Sequence, residues 1–289
     1  MLLHTEELTK EYGRFRALDR LGLEIAAGEV FGLLGPNGSG KSTALRLLLG
    51  FLKPSSGRAT IAGHDCWRHS VQARKHLAYL PGELRLYENM TGRQLIAFLS
   101  RVRGQRQLPE LAGLARRFDI DVDRPIADLS SGMKRKIALL QVMVTHAPLL
   151  IMDEPTNALD PTMRDELLAQ IRAARALGQA VLFSSHVLHE VEQVCDRVGI
   201  LKQGRLVHLQ AISALREGRL VRARFEQEVA VPELPGLAVL RRQDLQLELE
   251  YTGSLPPLLD WLARQPVTSL SLEPLGLASI YQRIHGADA

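Results

Sequence analysis

The chain has 289 residues, room for one large domain or for one domain with a small appendage, and its 46% hydrophobic and 24% charged residues are those of an ordinary globular protein. Its 36 Lys and Arg are nearly offset by 32 Asp and Glu; the net charge of +4 is too small to assign a polyanionic partner, and two cysteines, Cys66 and Cys195, exclude a disulfide framework. The opening MLLHTEELTKEYG has no cationic stretch ahead of an apolar core, and no uncharged apolar window of about 18 residues occurs, so neither a signal peptide nor a membrane span is expected.

Along the chain, Leu21, Leu23 and Ile25 share one face of a strand in what reads as a small antiparallel sheet closed at Ala27-Gly28. Val30 to Leu34 has the length and apolarity of a buried strand, and a helix is predicted from Lys41 to Gly50. Cys66 lies near His64 and His69, but the spacing matches no common zinc pattern. From about residue 84 to residue 145 the pattern is mostly helical, with Leu95, Phe98, Leu99 and Val102 spaced as one buried helix face. The run Lys134-Arg135-Lys136 reads as a solvated helix face, a role near a membrane surface being the other reading. Leu149 to Met152 and Ala180 to Ser184 read as further buried strands, with a helix from Arg164 to Leu177 between them. Strands separated by helices predict an α/β fold with a mostly parallel sheet.

Beyond about residue 215 the texture changes. Val221, Ala223 and Phe225, then Leu245, Leu247 and Leu249, alternate with polar residues, and Ser254 stands as a cap ahead of Leu258, Leu259 and Leu262. A strand around Val267 to Leu272 and a helix from about Leu277 complete a small C-terminal α+β domain, with the proline-rich VPELPG stretch as a loop inside it. The expected domains are therefore 1–215 and 216–289.

Two segments carry chemistry. GPNGSGKS, from Gly35 to Ser42, follows a predicted strand, opens a predicted helix and fits the G-x-x-x-x-G-K-[ST] pattern of a phosphate-binding loop. Such a loop here runs through Gly35, Pro36, Asn37, Gly38, Ser39, Gly40, Lys41, Ser42 and Thr43, and its backbone N–H groups, which all but Pro36 carry, converge on phosphate oxygens. Lys41 brings positive charge to the outer phosphates and Ser42 offers a hydroxyl to Mg²⁺. The second segment, LLIMDEP, delivers Asp153 to the tip of an apolar strand as a magnesium-side carboxylate and places Glu154 next to it as a general base. ATP and Mg²⁺ are the expected ligands.

Further short segments stand in order around these two. They are Tyr12 near the start, LSSGM at Leu129 to Met133, NALD at Asn157 to Asp160, and FSSH ending in His186. With them, residues 1 to 210 resemble the nucleotide-binding subunits of ABC transporters. The resemblance implies a P-loop NTPase of ABC type, with an antiparallel β subdomain and a helical signature subdomain. It implies that Tyr12 stacks on adenine, that LSSGM is the signature motif, that Asp160 lies in the D-loop and that His186 is the switch histidine. It also implies a head-to-tail homodimer around two ATP molecules, in which Ser130 and the Gly132 amide meet the far phosphate of the other chain's nucleotide. Hydrolysis by Glu154, His186 and Lys41 would then drive a separate transmembrane permease from the cytoplasmic face, with no nucleic acid involved.

Two positions depart from the family pattern: the usual LSGGQ reads LSSGM, with Ser131 and Met133, and Gly82 stands where a glutamine is usual, with Glu83 beside it. The stretches FGLLGPNG, YLPGELRLYENMTG and SLEPLGLASIYQRIHG resemble the branch that serves type-2 exporters of drugs, antibiotics, lipids or polysaccharides. Two other functions stay open on the sequence: a soluble ATPase of the same class acting on ribosomes or DNA, and a module that holds ATP without turnover.

Overall fold

The structure, a computed structural model, describes residues 1–105 and 107–286. The chain divides into two compact units, Met1–Leu209 and Gln210–Ala289, a few residues ahead of the boundary expected near 215; the last three residues of the expected 216–289 domain lie outside the described ones.

In the first unit, β1 (Leu3–Tyr12), β2 (Phe15–Ile25), β3 (Val30–Leu34) and α1 (Lys41–Leu48) are followed by β4 (Ser56–Ile61), β5 (His64–Asp65), α2 (Ser70–Lys75) and β6 (Leu77–Leu80). Then come α3 (Gly92–Val102), α4 (Leu111–Arg117), α5 (Ser131–Met143), β7 (Leu149–Asp153), α6 (Pro161–Ala176), β8 (Ala180–Ser185), α7 (Leu188–Val194), β9 (Arg197–Lys202) and β10 (Arg205–Ala211). An antiparallel sheet runs in the order β2-β1-β4-β5, and a six-stranded sheet in the order β10-β9-β3-β8-β7-β6. In the latter, β6, β7, β8, β3 and β9 pair in parallel. Each parallel neighbour is reached through helices, as a strand covered on both faces requires; β3 and β8 are buried along their whole length. Leu21, Leu23 and Ile25 do point into the core, where they meet Leu3, Leu45 and Leu182 in one continuous cluster.

The expected face of α3 is displaced. Leu95 and Ile96 are buried, together with Ser100, while Phe98 and Val102 stand 46% and 72% exposed. Spacing alone fits both stripes; α3 lies against α5, and its capping box, in which Thr91 and Gln94 exchange bonds, fixes where the first turn starts.

The second unit contains α8 (Ile212–Glu217), β11 (Arg219–Phe225), β12 (Leu237–Gln243), β13 (Gln246–Tyr251), α9 (Leu255–Ala263), β14 (Val267–Pro274) and α10 (Leu277–Gly286). Its sheet, β12-β13-β11-β14, buries Val221, Ala223, Phe225, Leu247, Leu249 and Tyr251 against Leu258 and Leu262 of α9. Arg222 bridges Glu248 and Glu273 on the opposite face, and the two central strands, β11 and β13, read apolar inward and charged outward. α8 belongs here because Ile212 and Leu215 are buried and the Gly218 carbonyl accepts the Leu275 N–H at 2.9 Å. Three expectations shift. β12 has no counterpart in the sequence reading, Leu245 lies in the two-residue turn between β12 and β13, and Leu259 is 41% exposed. Ser254 occupies the cap position of α9 without a side-chain bond; its carbonyl instead accepts the Tyr251 hydroxyl at 2.7 Å.

Candidate functional site

Between β3 and α1 the chain curls tightly, and glycine makes this possible. Gly35 adopts a φ of 152°, and a Cβ there would fall 2.4 Å from Ser39 Oγ and 2.5 Å from the Leu201 carbonyl oxygen. The Ser39 N–H donates to the Pro36 carbonyl at 3.1 Å, and the Ser39 carbonyl accepts the Gly204 N–H at 2.9 Å, which ties the loop to the β9–β10 turn. The Lys41 side chain folds back over the loop, its Nζ donating to the Gly35 carbonyl at 2.6 Å and to the Pro36 carbonyl at 3.3 Å. Burial pushes the Lys41 ammonium below its ordinary value, and the carboxylates of Glu154 and Asp153 oppose that shift.

The loop opens on a cavity of about 780 Å³ lined by Pro36 through Thr43, by Asp153 and Glu154 at the end of β7, and by Tyr79, Gly82, Glu83 and Phe15. Ser184 on β8 donates its hydroxyl to Asp153 Oδ1 at 2.5 Å, which orients that carboxylate. Glu154 has a φ of 48°, unusual for a residue with a Cβ. Its N–H is satisfied by Ser184 Oγ at 3.1 Å and by the Ser184 carbonyl at 3.2 Å. Its carboxylate lies 2.7 Å from His186 Nδ1 through Oε2 and 4.0 Å from Lys41 Nζ through Oε1. Burial, with the nearby Asp153 carboxylate adding to it, pushes the Tyr79 hydroxyl up to about 12, so it stays protonated at neutral pH.

Hard oxygen donors on this rim suit a small divalent cation: Ser42 offers a hydroxyl, and Asp153 offers a carboxylate whose orientation Ser184 already fixes. A Cβ on Gly82 would lie 3.2 Å from Asp153 Oδ2, so this backbone packs close against that carboxylate. Glu83, beside it, lines the same cavity and is exposed.

Not every expected residue gathers here. Tyr12 is half exposed under the Lys10 ammonium, 5.0 Å from its ring centroid, and does not line the cavity, whereas Phe15, its partner across the β1–β2 hairpin, does. Ser130 and Gly132 lie outside the cavity. Ser130 caps α5, its Oγ accepting the Met133 N–H at 3.3 Å, and Asp160 caps α6 by accepting the Met163 N–H at 3.0 Å. Residues 130 and 132 thus sit at a helix N-terminus that does not line their own chain's phosphate cavity.

One expectation is overturned. Arg135 is not part of a solvated face: it is 3% exposed, and its guanidinium donates to the carbonyls of Pro81, Gly82, Asp153, Glu154 and Pro155. Its neighbours are half-buried: Lys134 pairs with Glu88, and Lys136 reaches the Asp119 carbonyl. Ser184, Phe15, Tyr79 and Arg135 are among the site residues that the sequence reading missed; the FSSH segment held a hint, because its first serine precedes His186 by two positions and so faces the same strand end.

The ABC transporter family model matches residues 18–157. The Nod factor export ATP-binding protein I of Paraburkholderia xenovorans is 35% identical over 73% of this chain and 71% of its own length. The probable multidrug ABC transporter ATP-binding protein YbhF of Escherichia coli is also 35% identical over 71% of this chain, but the chain spans only 36% of that relative's length. A solved ATP-binding subunit of an ABC transporter shares the fold with a TM-score of 0.70 at 29% identity, covering 75% of this chain and 92% of that one. The loop that curls at Gly35, the acidic turn that faces it and these likenesses agree, and the chain belongs to the ATP-binding proteins of the ABC transporter family.

Proposed function

We propose that this chain binds ATP with Mg²⁺ at Gly35–Thr43 and hydrolyses it to ADP and phosphate, so powering a separate membrane permease. The observation that carries the reading is the placement of the Glu154 carboxylate on the rim of the phosphate cavity, 2.7 Å from His186 and 4.0 Å from Lys41. In this reading the loop amides and Lys41 hold the outer phosphates, and α1 points its positive end at them. Glu154 takes a proton from a water as its oxygen attacks the terminal phosphorus; the bond to the bridging oxygen breaks and ADP leaves. His186 holds the carboxylate in place and contacts the same phosphate. Ser42 and Asp153 would hold Mg²⁺, whose charge offsets that of the phosphates. The nucleobase lies against the β1–β2 hairpin, where Tyr12 and Phe15 pair.

Ser130 and Gly132 do not line their own chain's cavity and meet a second copy's nucleotide in a head-to-tail homodimer. Exposed Tyr87 and Phe98, whose rings meet edge to face at 6.5 Å, with the exposed Val102, supply an apolar surface for the permease. The relatives' names, Nod factor export and multidrug transporter, favour export, with this chain at the cytoplasmic face. No helix among the described residues is long and apolar enough to cross a membrane.

The test is co-purification and oligomeric state. Glu154→Gln with saturating ATP and magnesium is expected to elute as a dimer with bound nucleotide and to co-purify with a membrane protein rather than with RNA. A monomer with confirmed ATP binding would remove the dimer from this reading, and RNA capture would replace the permease with a ribosomal or nucleic-acid partner.

A further inference from the structure

Arg135 has five N–H donors, and each meets a carbonyl. Nη1 donates to Pro81 at 2.7 Å and to Gly82 at 3.1 Å; Nη2 donates to Asp153 at 3.0 Å and to Glu154; Nε donates to Pro155 at 3.3 Å. A buried guanidinium with every donor occupied is a rigid cross-brace, because its planar fork leaves no freedom once both edges are engaged. Three separate stretches of chain meet in it. One is α5, whose N-terminus is Ser130; the second is the Pro81-Gly82 segment that packs on the Asp153 carboxylate; the third is the turn at Asp153–Pro155. That turn holds Glu154 at a φ of 48°, a conformation a non-glycine residue keeps only where its surroundings over-determine it. Ser184 fixes the N–H side of Glu154, and Arg135 fixes its carbonyl side.

We propose that Arg135 is a positioning residue for hydrolysis: it sets the Glu154 turn, and through α5 it ties the position of Glu154 to the segment that meets the second copy's nucleotide. The inference rests on the ATPase reading above and deepens it. A lysine at 135 keeps the charge but has a single nitrogen, which cannot engage both carbonyl pairs together; glutamine loses the charge as well. Misplacing a reacting group by about 1 Å can cost on the order of a hundredfold in rate, so the effect falls on kcat, while the loop that binds the phosphates is left intact.

The experiment measures kcat and KM for magnesium-dependent ATP hydrolysis by the full chain as wild type, Arg135→Lys, Arg135→Gln, Glu154→Gln and Lys136→Gln, each checked for folding by circular dichroism. Arg135→Gln is expected to lose about 10- to 100-fold in kcat with KM within about twofold of wild type, Arg135→Lys to fall between the two, and Lys136→Gln to match wild type. If Arg135→Gln does not fold, Arg135→Lys decides on the same criterion. Wild-type kcat in the folded Arg135 variants beside an inactive Glu154→Gln overturns this inference alone, as does a rise in KM that matches the fall in kcat. A wild-type chain without turnover, or a Glu154→Gln variant as active as wild type, overturns the ATPase reading and this inference with it.

Discussion

The loop Gly35–Ser42 and the turn Asp153–Pro155 line one cavity but are built differently. The loop keeps its shape mostly through bonds a few residues long, from the Ser39 N–H to Pro36 and from Lys41 Nζ to Gly35 and Pro36, together with the glycines that allow its path. The turn is held from a distance. Ser184 and His186 reach it from the neighbouring strand and the loop beyond, and Arg135 reaches it from a helix on the other side of the sequence. A locally built site travels as a motif; a site built from remote partners exists only once the sheet has formed. Damage should therefore differ in kind, with loop changes weakening binding and changes around the turn slowing chemistry at unchanged affinity.

The largest expected effect on binding falls on the loop. Lys41→Ala removes its buried ammonium and should weaken ATP binding by about 10- to 100-fold or more, the range of a charge-assisted contact; titration calorimetry reads it, and unchanged affinity would erase the contrast. On the turn, His186→Ala frees the Glu154 carboxylate and should cut kcat by about 10- to 100-fold in steady-state assays while KM holds. Ser184→Ala removes the hydroxyl that orients Asp153 and accepts the Glu154 N–H; a fall of about 5- to 10-fold in kcat is expected, the equivalent of a single hydrogen bond. The smallest effect separates the hairpin's two aromatics. Phe15→Ala should raise KM for ATP by about 3- to 10-fold, within the range of one lost stacking contact, and Tyr12→Ala by less; the reverse order would return the base to Tyr12.

Legibility in the sequence follows the same division. The phosphate loop, its strand and its helix were readable because strand, glycine spacing and helix are consecutive, and the apolar runs at Val30–Leu34, Leu149–Met152 and Ala180–Ser184 announced the parallel sheet. Arg135 was not readable. Between two lysines it looks solvated, and only the packing of α5 beside the end of β7 turns it onto five carbonyls. Phe98 and Val102 misled because a helix with apolar residues on two stripes gives no sign of which one its neighbour will cover. β12 escaped for a different reason: it is an edge strand with mostly exposed side chains, so it lacks the alternation by which its partner β13 was recognised.

The claim beneath all of this is that Glu154 performs the chemistry on a nucleotide held by the loop, and a single-turnover experiment addresses it most directly. Radiolabelled ATP is mixed with excess full-length chain and magnesium, quenched over time, and bound and cleaved nucleotide are counted in the same samples for wild type and Glu154→Gln. Wild type should cleave what it binds, and Glu154→Gln should bind the same amount but cleave it at least about a hundredfold more slowly. Cleavage by Glu154→Gln at the wild-type rate would contradict the account.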